Sequence, residues 1–240
     1  MTSTEIQAHD GGTFKAHIVM PDSTPAGAVI VVQEIFGINN DVRKKCEEMA
    51  DLGFIGIAPD LFWRIEPGIE LYDSNPEQLQ RAFHLFGEFN VELGIKDLQS
   101  TLNFIRKHPD CNGHVGAVGY CLGGKLAYML AAASDIDASV SYYGVGIEAM
   151  LGQADAIKNP ILLHIAGNDQ FVPKAAQEKI IETLKDHDTA ETFHYPGMDH
   201  AFARENGMHY NAQAATLANE RTATFLKAYL GEGKVAKYAR

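Results

Sequence analysis

Short apolar runs alternate with segments of helical periodicity along most of the chain. Residues 28–32, 54–58 and 114–118 are short and mostly apolar, which is the pattern of strands buried on both faces of a sheet. Residues 13–20 alternate in character and predict an antiparallel edge strand. Further strands are predicted at 138–143, 160–165 and 191–195. Helices are predicted at about 40–51, 76–86, 91–107, 125–133 and 210–229.

Strands separated by helices indicate an α/β fold with a mostly parallel central sheet that carries helices on both faces. No low-complexity linker, repeat or break in composition divides the chain, so we expect one domain over residues 1–240. The polar segment 231–240 is rich in Gly and Lys, and we expect it to be loosely ordered.

Composition and charge limit the kinds of molecule that the protein is expected to bind. The 240 residues are 46% hydrophobic and carry a formal net charge of −11, without a long basic cluster, which argues against nucleic acid. Neither a signal-peptide pattern nor an 18-residue apolar run is visible, and the three cysteines have no C-x-x-C spacing. We therefore expect a cytoplasmic monomer or weak homo-oligomer that binds a small molecule and has no membrane partner.

Residues 119–123 have the pattern G-x-C-x-G between a predicted strand and a predicted helix. This is the setting of a nucleophile elbow, with Cys121 in the position of the usual serine. The glycines allow strand and helix to pass closely, and the first helical N–H groups favour a thiolate. Alone, the motif fits a buried structural cysteine equally well.

Two later strands are followed by an acid and a base. Asp169 comes after strand 160–165 and His200 after strand 191–195, so nucleophile, acid and base occur in the order of an α/β-hydrolase triad. Asp169 could instead cap the next helix, and Asp199 is a rival acid. The remaining histidines that we weighed are expected to be surface or satisfied core residues: His17, His84, His108, His114, His164, His187, His194 and His209.

An oxyanion needs fixed N–H donors, and the elbow rule supplies one from the residue after the nucleophile, Leu122, and one from an early loop. Ile35 is the natural candidate for the second donor. Glu34 follows a buried strand directly, and burial beside Cys121 would let it accept a proton or donate a hydrogen bond. A cap exposed at the surface is the alternative for Glu34.

Several segments together resemble the dienelactone hydrolase family: 33–37 (QEIFG), 59–61 (PDL), 119–124 (GYCLGG), 142–146 (YYGVG), 200–204 (HAFAR) and 217–222 (LANERT). The resemblance covers roughly residues 5 to 230. It implies an α/β-hydrolase that opens a lactone, giving a maleylacetate-like product in aromatic-ring degradation, or cleaves an ester through a Cys-acyl intermediate. No cofactor and no metal are expected.

The resemblance also assigns roles to residues. It implies Cys121, Asp169 and His200 as the triad, with Glu34 as the carboxylate that holds and then activates the thiol. It implies the Ile35 and Leu122 backbones as oxyanion donors, and Arg204 as the partner of a substrate carboxylate. The other expected substrate-binding residues are Phe36, Arg81, Phe83, Tyr142 and Ala201.

The pocket departs from the family pattern in its polar residues. Leu79 stands where the family has a second carboxylate-binding arginine, and Arg81 lies two positions on. Phe83, Phe86 and Ala201 replace a tyrosine, a tryptophan and a small polar residue. The sequence therefore predicts a more apolar pocket, suited to a related lactone or a small ester. A promiscuous esterase, a ligand receptor without activity and a redox-sensing thiol protein are the alternatives.

Overall fold

The structure, a computed structural model, describes residues 2–231, so that all but the first residue of the predicted loose tail lies outside the described residues. Two compact units, Met1–Val115 and Gly116–Arg240, divide the chain, and each is described by itself. The single domain predicted from composition stays a prediction.

The first unit contains the four strands β1 (Thr2–Gln7), β2 (Thr13–Val19), β3 (Ala26–Val32) and β4 (Ile55–Pro59), in the spatial order β1-β2-β4-β3. β2 is antiparallel to both of its neighbours, whereas β3 and β4 are parallel. The prediction of β2 as an edge strand is wrong because β1 covers its outer side. β1 was missed because its side chains are mostly polar and only Ile6 is buried.

Three helices complete this unit: α1 (Asn40–Asp51), α2 (Pro76–Glu88) and α3 (Val91–Arg106). Each begins after an asparagine whose side-chain oxygen accepts backbone N–H groups of the first turn: Asn39, Asn75 and Asn90. α1 and α3 pack against the strands, and their buried residues recur with helical spacing. The predicted helices at these positions are confirmed.

The strand β5 (Cys111–Tyr120) runs into the second unit, which adds β6 (Ala138–Tyr142), β7 (Ile161–Ala166) and β8 (Ala190–Tyr195). These strands are parallel and follow one another in chain order. Every residue of β6 and β7 is buried, including the polar residues Ser139, Ser141 and His164. The prediction of a mostly parallel α/β sheet is confirmed.

The helices of the second unit are α4 (Leu122–Ala133), α5 (Lys174–Leu184) and α6 (Ala212–Leu230). Two short 3-10 helices, Ile147–Ala149 and Leu151–Ala156, lie between β6 and β7. α4 is apolar on most of its surface and packs against β6, while α6 packs against β6 and β7. Among the helices of residues 2–231, none is both long enough and apolar enough to cross a membrane.

Candidate active site

Cys121 lies in the sharp turn between β5 and α4, in a backbone conformation that few side chains adopt. Its φ of 56° and ψ of −114° are sterically unfavourable for a residue with a Cβ atom. The flanking glycines make the turn possible: a Cβ on Gly119 would lie 1.9 Å from the Gly123 carbonyl oxygen, and one on Gly124 would lie 2.6 Å from that of Tyr142. The predicted strand, turn and helix of an elbow are all present.

Backbone hydrogen bonds hold the elbow against the end of β6. The Cys121 N–H donates to the Tyr142 carbonyl over 3.0 Å, and the Val145 N–H donates to the Cys121 carbonyl over 3.3 Å. Leu122 is the first residue of α4, so its N–H has no acceptor within the helix. This N–H is thus suited to stabilise a negative charge that develops beside Cys121.

Asp169 and His200 form a buried hydrogen-bonded pair. His200 Nδ1 lies 2.7 Å from Asp169 Oδ2, and both side chains are less than a tenth exposed. The other oxygen, Asp169 Oδ1, accepts the N–H groups of Phe171 and Val172 over 2.8 and 3.3 Å. α5 begins only after Pro173 and has no side-chain cap, so Asp169 does not cap it.

The rival acid, Asp199, has other partners. Its Oδ1 accepts a hydrogen bond from Asn168 Nδ2 over 2.5 Å, and its Oδ2 lies 3.5 Å from His209 Nδ1. The acid that hydrogen-bonds to His200 is therefore Asp169, and Asp199 is excluded from that role by its geometry.

The electrostatic surroundings of His200 favour the imidazolium. Burial of the ring by itself lowers the pKa, but the negative charge of Cys121, the hydrogen bond to Asp169 and the charge of Asp169 outweigh it and raise the pKa to about 10. Within residues 2–231, Nε2 is buried and has no partner at ordinary hydrogen-bond length. The arrangement can therefore hold an imidazolium whose Nε2 proton is available for transfer.

Two aromatic rings enclose the imidazole. The ring centroids of Tyr143 and Phe171 lie 5.1 and 4.8 Å from that of His200, both in edge-to-face geometry. Phe171 is 40% exposed, so this ring lies partly at the protein surface. Sequence reasoning missed Phe171, although its place two residues after Asp169, in a loop that follows a strand, was a signal.

The predicted substrate-binding residues of the second unit are Arg204, Ala201 and Tyr142, and they lie in different surroundings. Arg204 is partly buried and lies over Gly207, and Ala201 follows His200 with a φ of 62°. Tyr142 is fully buried, and its hydroxyl contacts Asn219 and Thr222 of α6. The Tyr142 hydroxyl is therefore engaged below the surface, and a role for Tyr142 in substrate binding stays a prediction.

Glu34, Ile35 and Phe36 lie in the first unit, in the buried turn that follows β3. Gln33 anchors this turn because its Oε1 accepts the Leu61 N–H over 3.1 Å. Burial of Glu34 excludes the alternative of a cap exposed at the surface.

Arg81 and Phe83 lie on α2, also in the first unit. Arg81 is paired with the Glu66 carboxylate, and Phe83 is 45% exposed. Arg81 thus already has a carboxylate of the protein itself as an ion-pair partner.

The described part of the chain contains no candidate metal site. Among residues 2–231, no group of three or more His, Cys, Asp or Glu side chains is arranged to hold a metal ion.

The second unit has a strained residue between a parallel strand and a helix, and an acid and a histidine after later strands. This arrangement is characteristic of the α/β-hydrolase fold. The family model of the dienelactone hydrolases matches residues 14–230. A carboxymethylenebutenolidase of Pseudomonas putida is 39% identical over 221 residues, which covers 92% of this chain and 94% of the relative. A protein of Azospirillum brasilense, provisionally given the same name, is 41% identical over 242 residues, covering 96% of this chain and all of its own length.

The fold agrees with the sequence relationship. A solved structure from Klebsiella pneumoniae, provisionally described as a dienelactone hydrolase, superposes with a TM-score of 0.82 at 26% identity, and covers 95% of this chain and 99% of its own. The chain belongs to the dienelactone hydrolase family, and it is a hydrolase.

Proposed function

We propose that the protein hydrolyses a lactone of the dienelactone type through a covalent Cys121-acyl intermediate. The observation that carries this proposal is the strained Cys121, whose charge raises the pKa of a His200 that is hydrogen-bonded to Asp169. The names of the relatives from Pseudomonas and Azospirillum support the choice of substrate class.

In the first half of the reaction, the Cys121 thiolate attacks the carbonyl carbon of the lactone and forms a C–S bond. The tetrahedral oxyanion then collapses, and the ring C–O bond breaks with its electron pair on the leaving oxygen. His200, protonated on Nε2, gives this oxygen its proton. Asp169 keeps Nδ1 protonated and so fixes the orientation of the ring.

In the second half, His200 is neutral and accepts a proton from a water molecule. The hydroxide formed attacks the thioester carbon, and the C–S bond breaks with its electron pair on sulfur. The thiolate and the imidazolium are restored. Ring opening adds one new carboxyl group to the product and frees one hydroxyl group, which in a dienelactone is an enol and tautomerises to a ketone. No other reactant is consumed.

We assign the N–H group of Leu122 as one backbone donor to the oxyanion, and the family resemblance implies the N–H group of Ile35 as the second. The position of Leu122 at the start of α4 supports the first. The role of Ile35, and that of Glu34 as the carboxylate that activates the thiol, rests on the family resemblance.

A small neutral ester is the second candidate substrate, and one observation favours it. Arg81 is paired with Glu66, so a substrate carboxylate would have to compete with a carboxylate of the protein for this cation. Arg204 is then the remaining candidate among the predicted residues for binding a carboxylate, and its planar guanidinium suits that geometry.

The test is steady-state turnover of a cis-dienelactone and of p-nitrophenyl acetate by the wild type, Cys121→Ala and Cys111→Ala. We expect Cys121→Ala to lose at least about a thousandfold in kcat with both substrates. Cys111→Ala, which removes a cysteine outside the elbow, is expected to keep wild-type rates. Mass spectrometry of quenched reactions should show the acyl adduct on the peptide that contains Cys121.

Each outcome separates the candidates. Turnover of the dienelactone far above that of the ester supports the lactone, and turnover of the ester alone supports the second candidate. Full activity of Cys121→Ala would overturn the mechanism. Oxidation of Cys121 without acylation would favour the redox-thiol alternative.

A further inference from the structure

A chain of buried and partly buried hydrogen bonds runs between α6 and the carboxyl-terminal halves of three strands in the second unit. Tyr142 ends β6, His164 lies in β7 and Tyr195 ends β8, and all three are buried. The chain of contacts consists, in order, of Arg221, Tyr195, His164, Thr222, Tyr142 and Asn219.

Each hydroxyl in this chain has a single proton, which determines the direction of the bonds. Tyr142 donates to the side-chain oxygen of Asn219 over 3.0 Å, so its own oxygen must accept from Thr222, which lies 2.7 Å away. Thr222 has then used its proton. It must accept from His164 Nε2, which lies 2.9 Å away.

The same argument fixes the other half of the chain. Burial is the main cause, and the charge of Arg221 the lesser cause, that lowers the pKa of His164 to about 3. The imidazole is therefore neutral and carries one proton. That proton is on Nε2, and Nδ1 therefore accepts from the Tyr195 hydroxyl over 2.8 Å. Tyr195 in turn accepts from Arg221 over 3.1 Å, and every polar hydrogen between Arg221 and Asn219 has one acceptor.

The strands joined by this chain are those that carry the candidate catalytic residues. Asp169 follows β7 by three residues, and His200 follows β8 by five. Tyr143, directly after β6, packs its ring edge-to-face with that of His200. A slip of one strand end relative to another would therefore change the distance between acid and base.

We propose that His164 is a positioning residue, which as a neutral Nε2–H imidazole fastens the ends of β7 and β8 to α6 and so sets the geometry of the Asp169–His200 pair. This inference rests on the proposed function, since it concerns the same base. His164 itself does not touch the substrate. The binary choice of tautomer makes the inference testable by spectroscopy as well as by kinetics.

The kinetic experiment compares Thr222→Val, which has nearly the same shape but no hydroxyl, with Thr222→Ser, which keeps the hydroxyl. We expect Thr222→Val to lower kcat about tenfold with KM unchanged, because a small displacement of the base affects the transition state more than binding. Thr222→Ser should restore most of the wild-type kcat. Should Thr222→Val fail to fold, Tyr195→Phe breaks the chain at the other side of His164.

Thr101→Val is the matched control for stability. Thr101 is also buried on a helix, where its hydroxyl donates to the Asp97 carbonyl over 2.9 Å, but it is not part of the chain. We expect a similar loss of thermal stability and an unchanged kcat. An unchanged kcat in Thr222→Val, with Cys121 still essential, would overturn the positioning role and leave the proposed function intact.

The second measurement is the tautomer of His164 by ¹⁵N NMR of the imidazole in the full chain. We expect an Nε2–H signal that persists from pH 5 to pH 8 and moves in Thr222→Val. An Nδ1–H tautomer would contradict the direction derived above. Loss of activity in Thr222→Val without Cys121-dependent turnover in the wild type would instead count against the proposed function.

Discussion

His200 and His164 are both buried in the same unit, yet the pKa values of their imidazoles are moved in opposite directions. That of His200 is raised to about 10, and that of His164 is lowered to about 3. Burial opposes the charged form in both cases. The difference comes from the neighbours, since His200 faces the negative charges of Cys121 and Asp169, whereas Arg221 is the charge that acts on His164.

The comparison teaches that burial alone does not determine what a histidine can do. With anionic neighbours the ring stores a proton and can deliver it. With neutral hydroxyl partners and a nearby cation it is fixed in one tautomer and serves as a structural link. The substitutions below each remove one charged neighbour of His200 or His164.

The largest effect is expected from Asp169→Asn. An amide cannot hold the His200 tautomer or stabilise the imidazolium, so kcat should fall by about 10⁴. The basic limb of the pH–rate profile, which we expect at about pH 10 in the wild type, should move to lower pH because the hydrogen bond to Asp169 raises the pKa of His200. Asp199→Asn is the control, and an equal loss there would restore Asp199 as the rival acid.

A smaller effect is expected from Cys121→Ser on the titration of His200, followed by NMR of the ring. Serine stays neutral, so the pKa of His200 should fall from about 10 towards 6.5, while Cys111→Ser should leave it unchanged. Protonated His200 stabilises the fold below pH 6.5, and this contribution disappears as the pH rises through about 10 in the wild type. A pKa that stays at about 10 would mean that Asp169 alone raises it.

The smallest effect is expected from Arg221→Gln on the titration of His164. Burial is the main cause of the lowered pKa and the charge of Arg221 the lesser one, so the midpoint should rise yet remain below 6.5. Lys227→Gln, which removes an exposed positive charge from the same helix, should have no effect. A midpoint at or above 6.5 would show that the cation, and not burial, keeps the ring neutral.

Much of the fold could be predicted because apolar runs and glycines act locally. The runs at 28–32, 138–143 and 160–165 coincide with strands. A Cβ on Gly119 would clash with the backbone, so glycine is needed there and the elbow can be recognised from the sequence. The order of Cys121, Asp169 and His200 along the chain was informative because parallel strands place their carboxyl ends at one edge.

Other features depend on contacts between residues distant in sequence, which no local pattern contains. β1 is polar and is recognised only through its pairing with β2. His164 was grouped with ordinary core histidines, since its partners Tyr195 and Thr222 lie 31 and 58 residues away. The hydroxyl partners of Tyr142, Asn219 and Thr222, are likewise 77 and 80 residues away.

The Asp169 side chain has two functions, one for each of its carboxylate oxygens. One oxygen holds the loop at residues 169–172 through backbone N–H groups, and the other holds the base. Fraying of these four residues would release His200 while the sheet and helices stayed folded. We therefore expect activity to be lost on heating before the sheet and helices melt, through the local opening of this short loop.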